Sequence, residues 1–223
     1  MSLAVRLRLQ RKIEKLKRLV LSLGARVEES VHLSVKAIRL RDAELARRVV
    51  AGDREIDNME LELDEECLEI LALHQPVATD LRFIVGILKM NQDLERIGDM
   101  AANIARIAVD LQSADPIQIP DDYFTMAEET AELLHRTLDA FVSMDPGEAF
   151  DVLAEDDKID LKKHKLHRAF EERVREQPEH RRALIHLFLV SRHLERIGDH
   201  TTNIAEDIIY MVTGEIVRHG QKQ

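Results

Sequence analysis

The 223-residue chain is poor in cysteine, tryptophan, glycine and proline, with one, none, eight and five of them, and its aromatic content is 4%. A single cysteine excludes a disulfide within the chain and a cysteine-rich zinc site, and it indicates a reducing compartment. No apolar run approaches the ~18 residues of a membrane span, and no export signal precedes one, so we expect a cytoplasmic protein. The net charge of −10 argues against nucleic acid as the main partner.

Apolar residues recur at helical period along almost the whole chain, and 33% of residues are charged, which favours long helices over sheets. The pattern predicts six long helices. The first covers residues 3–39, the second follows a cap at Asp42 and ends at about 74, and the third covers 76–111. The fourth, fifth and sixth end at about 143, 176 and 212. The stops are Gln75-Pro76, a loop over 113–121, Asp145-Pro146-Gly147 and Gln177-Pro178. From Glu215 onward we expect a polar, loose tail.

The second half of the chain repeats the first. Residues 94–105 and 194–205 are identical at nine of twelve positions, and the halves align at an offset of 100 to 103 residues. Short connections make successive helices antiparallel neighbours. The sequence therefore predicts an all-α fold of two pseudo-symmetric three-helix bundles, in residues 1–114 and 115–223.

Paired carboxylates are the main chemical feature of this repeat. Two carboxylates at i and i+4 of a helix repel by a few tenths of a kcal/mol unless a cation lies between them. Taking Pro76 as the turn, Asp57 and Glu95 both lie 19 residues from it, and Asp53 and Asp99 both lie 23. In the second half, Asp160 and Glu195 lie 18 and 17 residues from Pro178, and Asp156 and Asp199 lie 22 and 21 residues from it. Antiparallel helices therefore bring the four carboxylates of each half to about the same height. We predict one metal site per half, made of Asp53, Asp57, Glu95 and Asp99 and of Asp156, Asp160, Glu195 and Asp199.

Oxygen-only ligands suit hard cations such as Mg²⁺, Mn²⁺ and Ca²⁺, and ferric iron on the same argument, whereas Zn²⁺ prefers histidine or cysteine. The alternative is a network of ion pairs, because arginines occur at matched positions in both halves: Arg82, Arg96, Arg182 and Arg196. We expect Gly98 and Gly198 to permit close helix packing. Asn103 and Asn203 are expected either to bond between helices or to support the site.

Two Glu-x-x-His pairs, Glu29/His32 and Glu132/His135, lie 103 residues apart. The spacing is used by di-iron carboxylate bundles, but that template needs two such pairs per site and each half offers one. Whether these pairs join the carboxylate sites stays open. The heptad-spaced His186, His193 and His200 are interpreted as a polar helix face rather than a metal site.

The first helix has a basic face, with seven basic residues and one acid over residues 6–18. A solvated bundle surface is favoured over contact with a membrane surface or an acidic partner. The apolar stripe of the same helix fits a dimer interface and a core within the bundle equally well.

The doubled LERIGD-x-x-x-N-I-A string, the matched D-x-x-x-D segments and the QP-x-x-x-DLR passage over residues 75–82 together resemble the PhoU family across nearly the whole chain. The resemblance implies two three-helix bundles whose E/D-x-x-x-D motifs are associated with multinuclear iron or other metal clusters. Zinc, manganese and other divalent cations are alternatives to iron. It also implies a cytoplasmic negative regulator of phosphate uptake, an adaptor between the ATPase of the phosphate ABC transporter and the phosphate-sensing histidine kinase. The motif positions on this chain are the eight carboxylates named above. The second half departs from the pattern at residues 179–182, which leaves the role of its matched arginine open.

The leading interpretation is therefore a signalling adaptor rather than an enzyme, with metal as a structural or regulatory element. We expect a homodimer and possible proximity to the membrane through its partners. The alternative function is a di-iron or metal-storage carboxylate bundle, and a third is a purely structural dimeric bundle with solvated carboxylates.

Overall fold

The computed structural model describes residues 3–113, 117–218 and 221–222, and side chains within these ranges except at 3–6, 156–160, 163, 218 and 221–222. The described chain forms six α-helices: α1 (Leu3–Leu40), α2 (Ala43–His74), α3 (Ala78–Leu111), α4 (Asp121–Ser143), α5 (Pro146–Glu176) and α6 (Arg181–Thr213). A 3-10 turn, Pro178–His180, precedes α6. Two short antiparallel strands, β1 (Val217–Arg218) and β2 (Gln221–Lys222), follow it. The predicted all-α fold of two pseudo-symmetric three-helix bundles is confirmed.

The helix ends follow from local chemistry. Asp42 caps α2, as predicted, by accepting a hydrogen bond from the Leu45 N–H at 2.9 Å. Asp145 accepts from the Gly147 N–H at 2.8 Å, and Pro146 occupies the first turn of α5. Gly214, with φ of 78°, ends α6 in the left-handed region that glycine tolerates best.

Helices α3 and α6 form the centre of the molecule, where the two halves pack together. Both are buried along most of their length, and Gly86 of α3 packs directly against the Met211 side chain of α6. The outer helices α1 and α2 cover α3, while α4 and α5 cover α6, and α1 also contacts α4. The repeated motif thus lies on the two central helices.

The structure corrects two expectations, on the start of α3 and on the tail, and decides between the two interpretations of the α1 stripe. Pro76 does not begin α3, which starts at Ala78, because Gln75 ends α2 in a left-handed conformation and Val77 is still extended. The apolar stripe of α1 is core of the bundle, since Leu16, Val20 and Val27 are fully buried, so it offers no surface for a dimer. The tail is not uniformly loose, because Val217 is 3% exposed against the core.

The basic face of α1 is partly used inside the bundle. Lys12 and Lys15 both donate to the buried Glu66 of α2, and the ammonium group of Lys17 lies 5.6 Å from the centroid of the Phe83 ring. Arg8 and Arg11 remain exposed. Among the helices that the structure describes, none has a stretch long and apolar enough to span a bilayer.

Candidate metal centre

The first-half carboxylates face one another across the groove between α2 and α3. Burial raises the pKa of Asp53, and the negative charges of Asp99 and Asp57 raise it further. Burial likewise raises the pKa of Glu95, with added repulsion from Asp99 and Asp57. Each helix therefore places carboxylates within electrostatic reach of those on the other, as the level positions on either side of Pro76 predict.

The acidic stripe extends beyond the four predicted residues. Burial raises the pKa of Glu60, and the neighbouring Asp64 and Asp57 raise it further. The Nδ2 group of Asn91, on α3, donates to the Glu60 carbonyl at 3.0 Å and to Asp64 Oδ1 at 2.8 Å. The Asn91 Oδ1 atom is buried without a hydrogen-bond partner among the described residues.

Glu60, Asp64 and Asn91 were missed by the sequence reasoning, although the pattern contains a signal for them. Glu60 and Asp64 continue the Asp53/Asp57 pair at helical spacing, and Asn91 lies four residues before Glu95. We name the full set of seven the acidic stripe: Asp53, Asp57, Glu60, Asp64, Asn91, Glu95 and Asp99.

Among the described side chains, Arg106 forms an ion pair with the stripe. Arg106 Nη2 lies 3.2 Å from Asp53 Oδ2, and Arg106 Nη1 donates to Asn103 Oδ1 at 2.7 Å. The positive charge of Arg96 lowers the pKa of Glu95, but burial and three carboxylates outweigh it. Arg82 takes no part, since it donates to Thr79 and lies against Gly214. Among the described residues, the ion-pair alternative thus accounts for the contact at Asp53 and does not offset the mutual repulsion of the other carboxylates.

Gly98 has the packing role predicted for it. A Cβ atom at this position would lie 3.0 Å from two carbons of the Ile56 side chain, which is tighter than ordinary contact. A glycine in the helix interior therefore lets α2 and α3 approach closely where the carboxylates face each other.

In the second half, the two motif carboxylates of α6 have the same exposure as their counterparts on α3. Glu195 is half-buried and Asp199 exposed, the same pattern as for Glu95 and Asp99. The side chains of Asp156 and Asp160, on α5, lie outside the described residues. The counterparts of Glu60, Asp64 and Asn91 are Lys163, His167 and Ser191. His167 Nε2 lies 3.2 Å from Ser191 Oγ, which replaces the Asp64–Asn91 contact, so the second-half stripe is the shorter one.

The residues of the acidic stripe fit a hard cation in charge and in donor type. Three of its carboxyls have pKa values raised by burial and by neighbouring carboxylates of the stripe, and a bound cation would relieve that repulsion. Within the described residues, no three His, Cys, Asp or Glu side chains already stand as a ligand group. Binding would therefore require side-chain rotation, and both predicted metal sites stay predictions.

The histidines lie elsewhere. His135 Nδ1 is 2.9 Å from Glu28 Oε1 across the contact between α1 and α4, and His32 lines a cavity in the same contact. His200 is not on a polar surface, because it is 8% exposed between α3 and α6, where its Nδ1 lies 2.7 Å from Asp93 Oδ1. Asn203 Nδ2 donates to the same carboxylate at 3.4 Å, so it bonds between helices.

Comparison with known protein families shows that one family matches both halves of the chain. A family model described as PhoU domain matches residues 20–108 and again 124–208. A phosphate-specific transport system accessory protein PhoU from Edwardsiella tarda is 36% identical over 93% of this chain and 85% of its own length. A homolog of that name from Aquifex aeolicus is 37% identical over 96% of both chains.

Two solved structures share the fold over nearly their whole length. The crystal structure of PhoU from Pseudomonas aeruginosa has a TM-score of 0.88 and 35% identity, covering 92% of this chain and 99% of its own. That of the phosphate transport system regulatory protein PhoU from Streptococcus pneumoniae has a TM-score of 0.88 and 28% identity, covering 94% and 99%.

Proposed function

Because the chain belongs to the PhoU family, we propose that it is a regulatory accessory protein of a phosphate transport system. The observation that carries this proposal is the double match of the PhoU domain, together with relatives of that description at more than a third identity over nearly the full chain. Within this function, the chain acts in the cytoplasm as a negative regulator of phosphate uptake and of the response to phosphate starvation.

An adaptor role is the finer part of the proposal. The partners are the ATPase of the phosphate ABC transporter and the phosphate-sensing histidine kinase, as the family resemblance implies. The internal repeat supports this role, because the two halves share a motif but differ in sequence: the first half has Glu60 and Asp64 where the second has Lys163 and His167. The two halves can therefore bind two different partners, because they differ in charge.

The adaptor proposal is tested by deleting the gene and measuring a phosphate-regulated reporter in phosphate-rich medium. Negative regulation predicts that the reporter becomes active without starvation and that the intact gene restores repression. Immobilised protein should retain the purified ATPase and the kinase cytoplasmic region in separate binding measurements. Normal repression in the deletion strain would contradict the regulatory role, and failure to bind either partner would contradict the adaptor role alone.

Metal binding at the acidic stripe is proposed as part of this function. Asp53, Asp57, Glu95 and Asp99 would hold the cation, which would supply charge neutralisation between α2 and α3. Iron is the metal that the family resemblance favours, while manganese, zinc and other divalent cations remain alternatives to be compared. The second site would use Asp156, Asp160, Glu195 and Asp199 in the same manner.

Calorimetric titration with Mn²⁺ and with Fe²⁺ under anaerobic conditions tests the stripe directly. Asp99→Asn should abolish saturable binding to the first site, because it removes one of four converging charges. Glu62→Gln is the matched control, since Glu62 is exposed on α2 and outside the stripe. Equal binding by both variants would exclude the proposed ligands.

The di-iron or metal-storage function is not favoured. The Glu28–His135 contact and the cavity at His32 place these histidines between α1 and α4, whereas the carboxylates lie between α2 and α3. A di-iron template requires histidine and carboxylate ligands on one set of facing helices. Sustained iron oxidation by the iron-loaded protein would revive that alternative. A homodimer also stays a prediction, to be checked by light scattering.

A further inference from the structure

A cavity of about 260 Å³ opens between α1 and α4. Its floor is apolar, made by side chains such as Val35, Ala127 and Ala131, and three basic side chains stand around it: His32, Lys36 and Arg39. Two of the three, Lys36 and Arg39, are cations in a chain whose net charge is −10. None of the acidic-stripe residues lines it, so the cavity is separate from the proposed metal site.

The internal repeat contains a second, equivalent position between α1 and α4, where a glutamate side chain occupies the space that is open at the cavity. We call this position the filled copy. Residues of α1 correspond to those of α4 at an offset of 103, so Glu28 corresponds to Ala131 and His32 to His135. In the filled copy, the Glu28 carboxylate lies 2.9 Å from His135 Nδ1. In the other copy, the residue facing His32 is Ala131, which carries no carboxylate and leaves the space open.

The charges around the two copies differ in the same sense. The filled copy has a second carboxylate, with Asp139 Oδ2 lying 3.6 Å from His135 Nε2. At the open copy, the position matching Asp139 is Lys36, and the position matching Val142 is Arg39. His135, which has two carboxylates beside it, thus corresponds to His32, which has two added cations nearby and an alanine at the position that matches Glu28.

The single acid that lines the cavity is already neutralised. Arg39 Nη2 donates to Glu128 Oε1 at 2.6 Å, and the guanidinium carbon lies 4.5 Å from the centroid of the Phe124 ring. These two contacts hold the arginine at the rim. His32 and the exposed Lys36 are left to face the opening.

From this geometry we infer that the cavity is a binding site for a small carboxylate on a short aliphatic chain, which occupies the place that the Glu28 side chain takes in the other half. The carboxylate accepts hydrogen bonds from His32 and Lys36, and its alkyl part packs on Val35 and Ala131. The apolar floor selects an aliphatic body, and the cations select the charge. This inference is independent of phosphate regulation and of metal binding.

Propionate is the appropriate probe because it reproduces the end of a glutamate side chain. Nuclear magnetic resonance of the side-chain nitrogens of the ten histidines reports binding, with the His32 signal assigned from a His32→Gln variant. We expect propionate to shift the His32 signal saturably and to leave His135 unchanged. Propionamide, which has the same shape without the charge, should have no such effect. An unmoved His32 signal, or equal effects of propionate and propionamide, would overturn the inference.

Ala131→Glu supplies an internal competitor, since it recreates the Glu28–His135 contact at His32. We expect it to weaken propionate binding by at least about tenfold, equivalent to the loss of one charge-assisted hydrogen bond. Ala154→Glu, at an exposed position of α5, is the matched control and should bind as the unaltered chain does. Equal affinity of the two variants would contradict the assignment. Inorganic phosphate is the comparison ligand, and a larger His32 response to phosphate than to propionate would exclude an aliphatic carboxylate as the preferred ligand.

Discussion

The contact between α1 and α2 depends on one buried carboxylate, and replacing Glu66 by glutamine tests how much it contributes. The Glu66 side chain is 7% exposed and lies 2.6 Å from Lys12 Nζ, and Lys15 donates to its other oxygen. Burial alone would raise the pKa of Glu66, but the two lysine hydrogen bonds outweigh that effect and hold the pKa below its ordinary value of 4.5. The same contact raises the pKa of Lys12.

The expected loss follows from the exposure of the partners. A hydrogen bond to a charged group contributes about 1.5–3 kcal/mol, but the two lysine side chains are 31% and 43% exposed, so solvent screening reduces their contribution. We therefore expect Glu66→Gln to lower the free energy of unfolding by about 1–2 kcal/mol, which corresponds to a fall in Tm of about 2–8 °C for a chain of this size.

Urea denaturation of Glu66→Gln and Glu69→Gln measures this difference. Glu69 accepts a hydrogen bond from Lys12 at 3.0 Å, but its side chain is 47% exposed. Its replacement should therefore lower the free energy of unfolding by less than about 0.5 kcal/mol. Because the pKa of folded Glu66 is lowered, its contribution is complete above pH 4.5 and is lost as the pH falls through the folded pKa. Equal losses for the two variants, or a Glu66→Gln effect that does not diminish as the pH falls below 4.5, would refute the reasoning.

Three further predictions concern the helix contacts. Gly98→Ala should lower the free energy of unfolding by about 1 kcal/mol in urea, because crowding of Ile56 at 3.0 Å exceeds the gain in helix propensity, and unchanged stability would show that Ile56 relaxes freely. Burial raises the pKa of Asp207 to about 6 despite its contact with Lys89, so ionisation of Asp207 above pH 6 opposes folding. As the pH falls from 7 to 4, the free energy of unfolding of the unaltered chain should therefore rise by up to about 2–3 kcal/mol relative to that of Asp207→Asn. Parallel pH profiles of the two proteins would contradict this prediction. Asp57→Asn should raise Tm without metal, since the Asp57 charge raises the pKa of Asp53 and Glu95. It should also reduce the rise in Tm that Mn²⁺ causes in the unaltered chain, because the first site loses a ligand while the proposed second site is intact. A lower Tm without metal would contradict this prediction.

The sequence was most informative where local rules decide the structure. Asp42, Asp145 and Gly214 mark helix ends because each meets a backbone requirement within a few residues of itself. The facing of Asp53 with Asp99 followed from counting residues on either side of a turn, since antiparallel helices rise equally. Gln75 shows the limit of such counting, because its left-handed backbone moved the start of α3 two residues beyond Pro76.

Contacts between the halves could not be predicted in the same way. His200 meets Asp93, and Lys89 meets Asp207, only because α3 and α6 pack at a particular angle and register. Helical periodicity shows which face of each helix is polar but not which face of another helix it will meet. The Glu28–His135 contact and the cavity at His32 have the same origin, although the repeat makes the comparison between them possible once the register is known.

Anomalous scattering from crystals soaked in Mn²⁺ and in Fe²⁺ shows whether a cation binds between α2 and α3. We expect a peak bounded by Asp53, Asp57, Glu95 and Asp99, lost in crystals of Asp99→Asn and retained in crystals of Glu62→Gln. A fully soaked crystal without a peak in that groove, or with its only peaks at the histidines between α1 and α4, would contradict it.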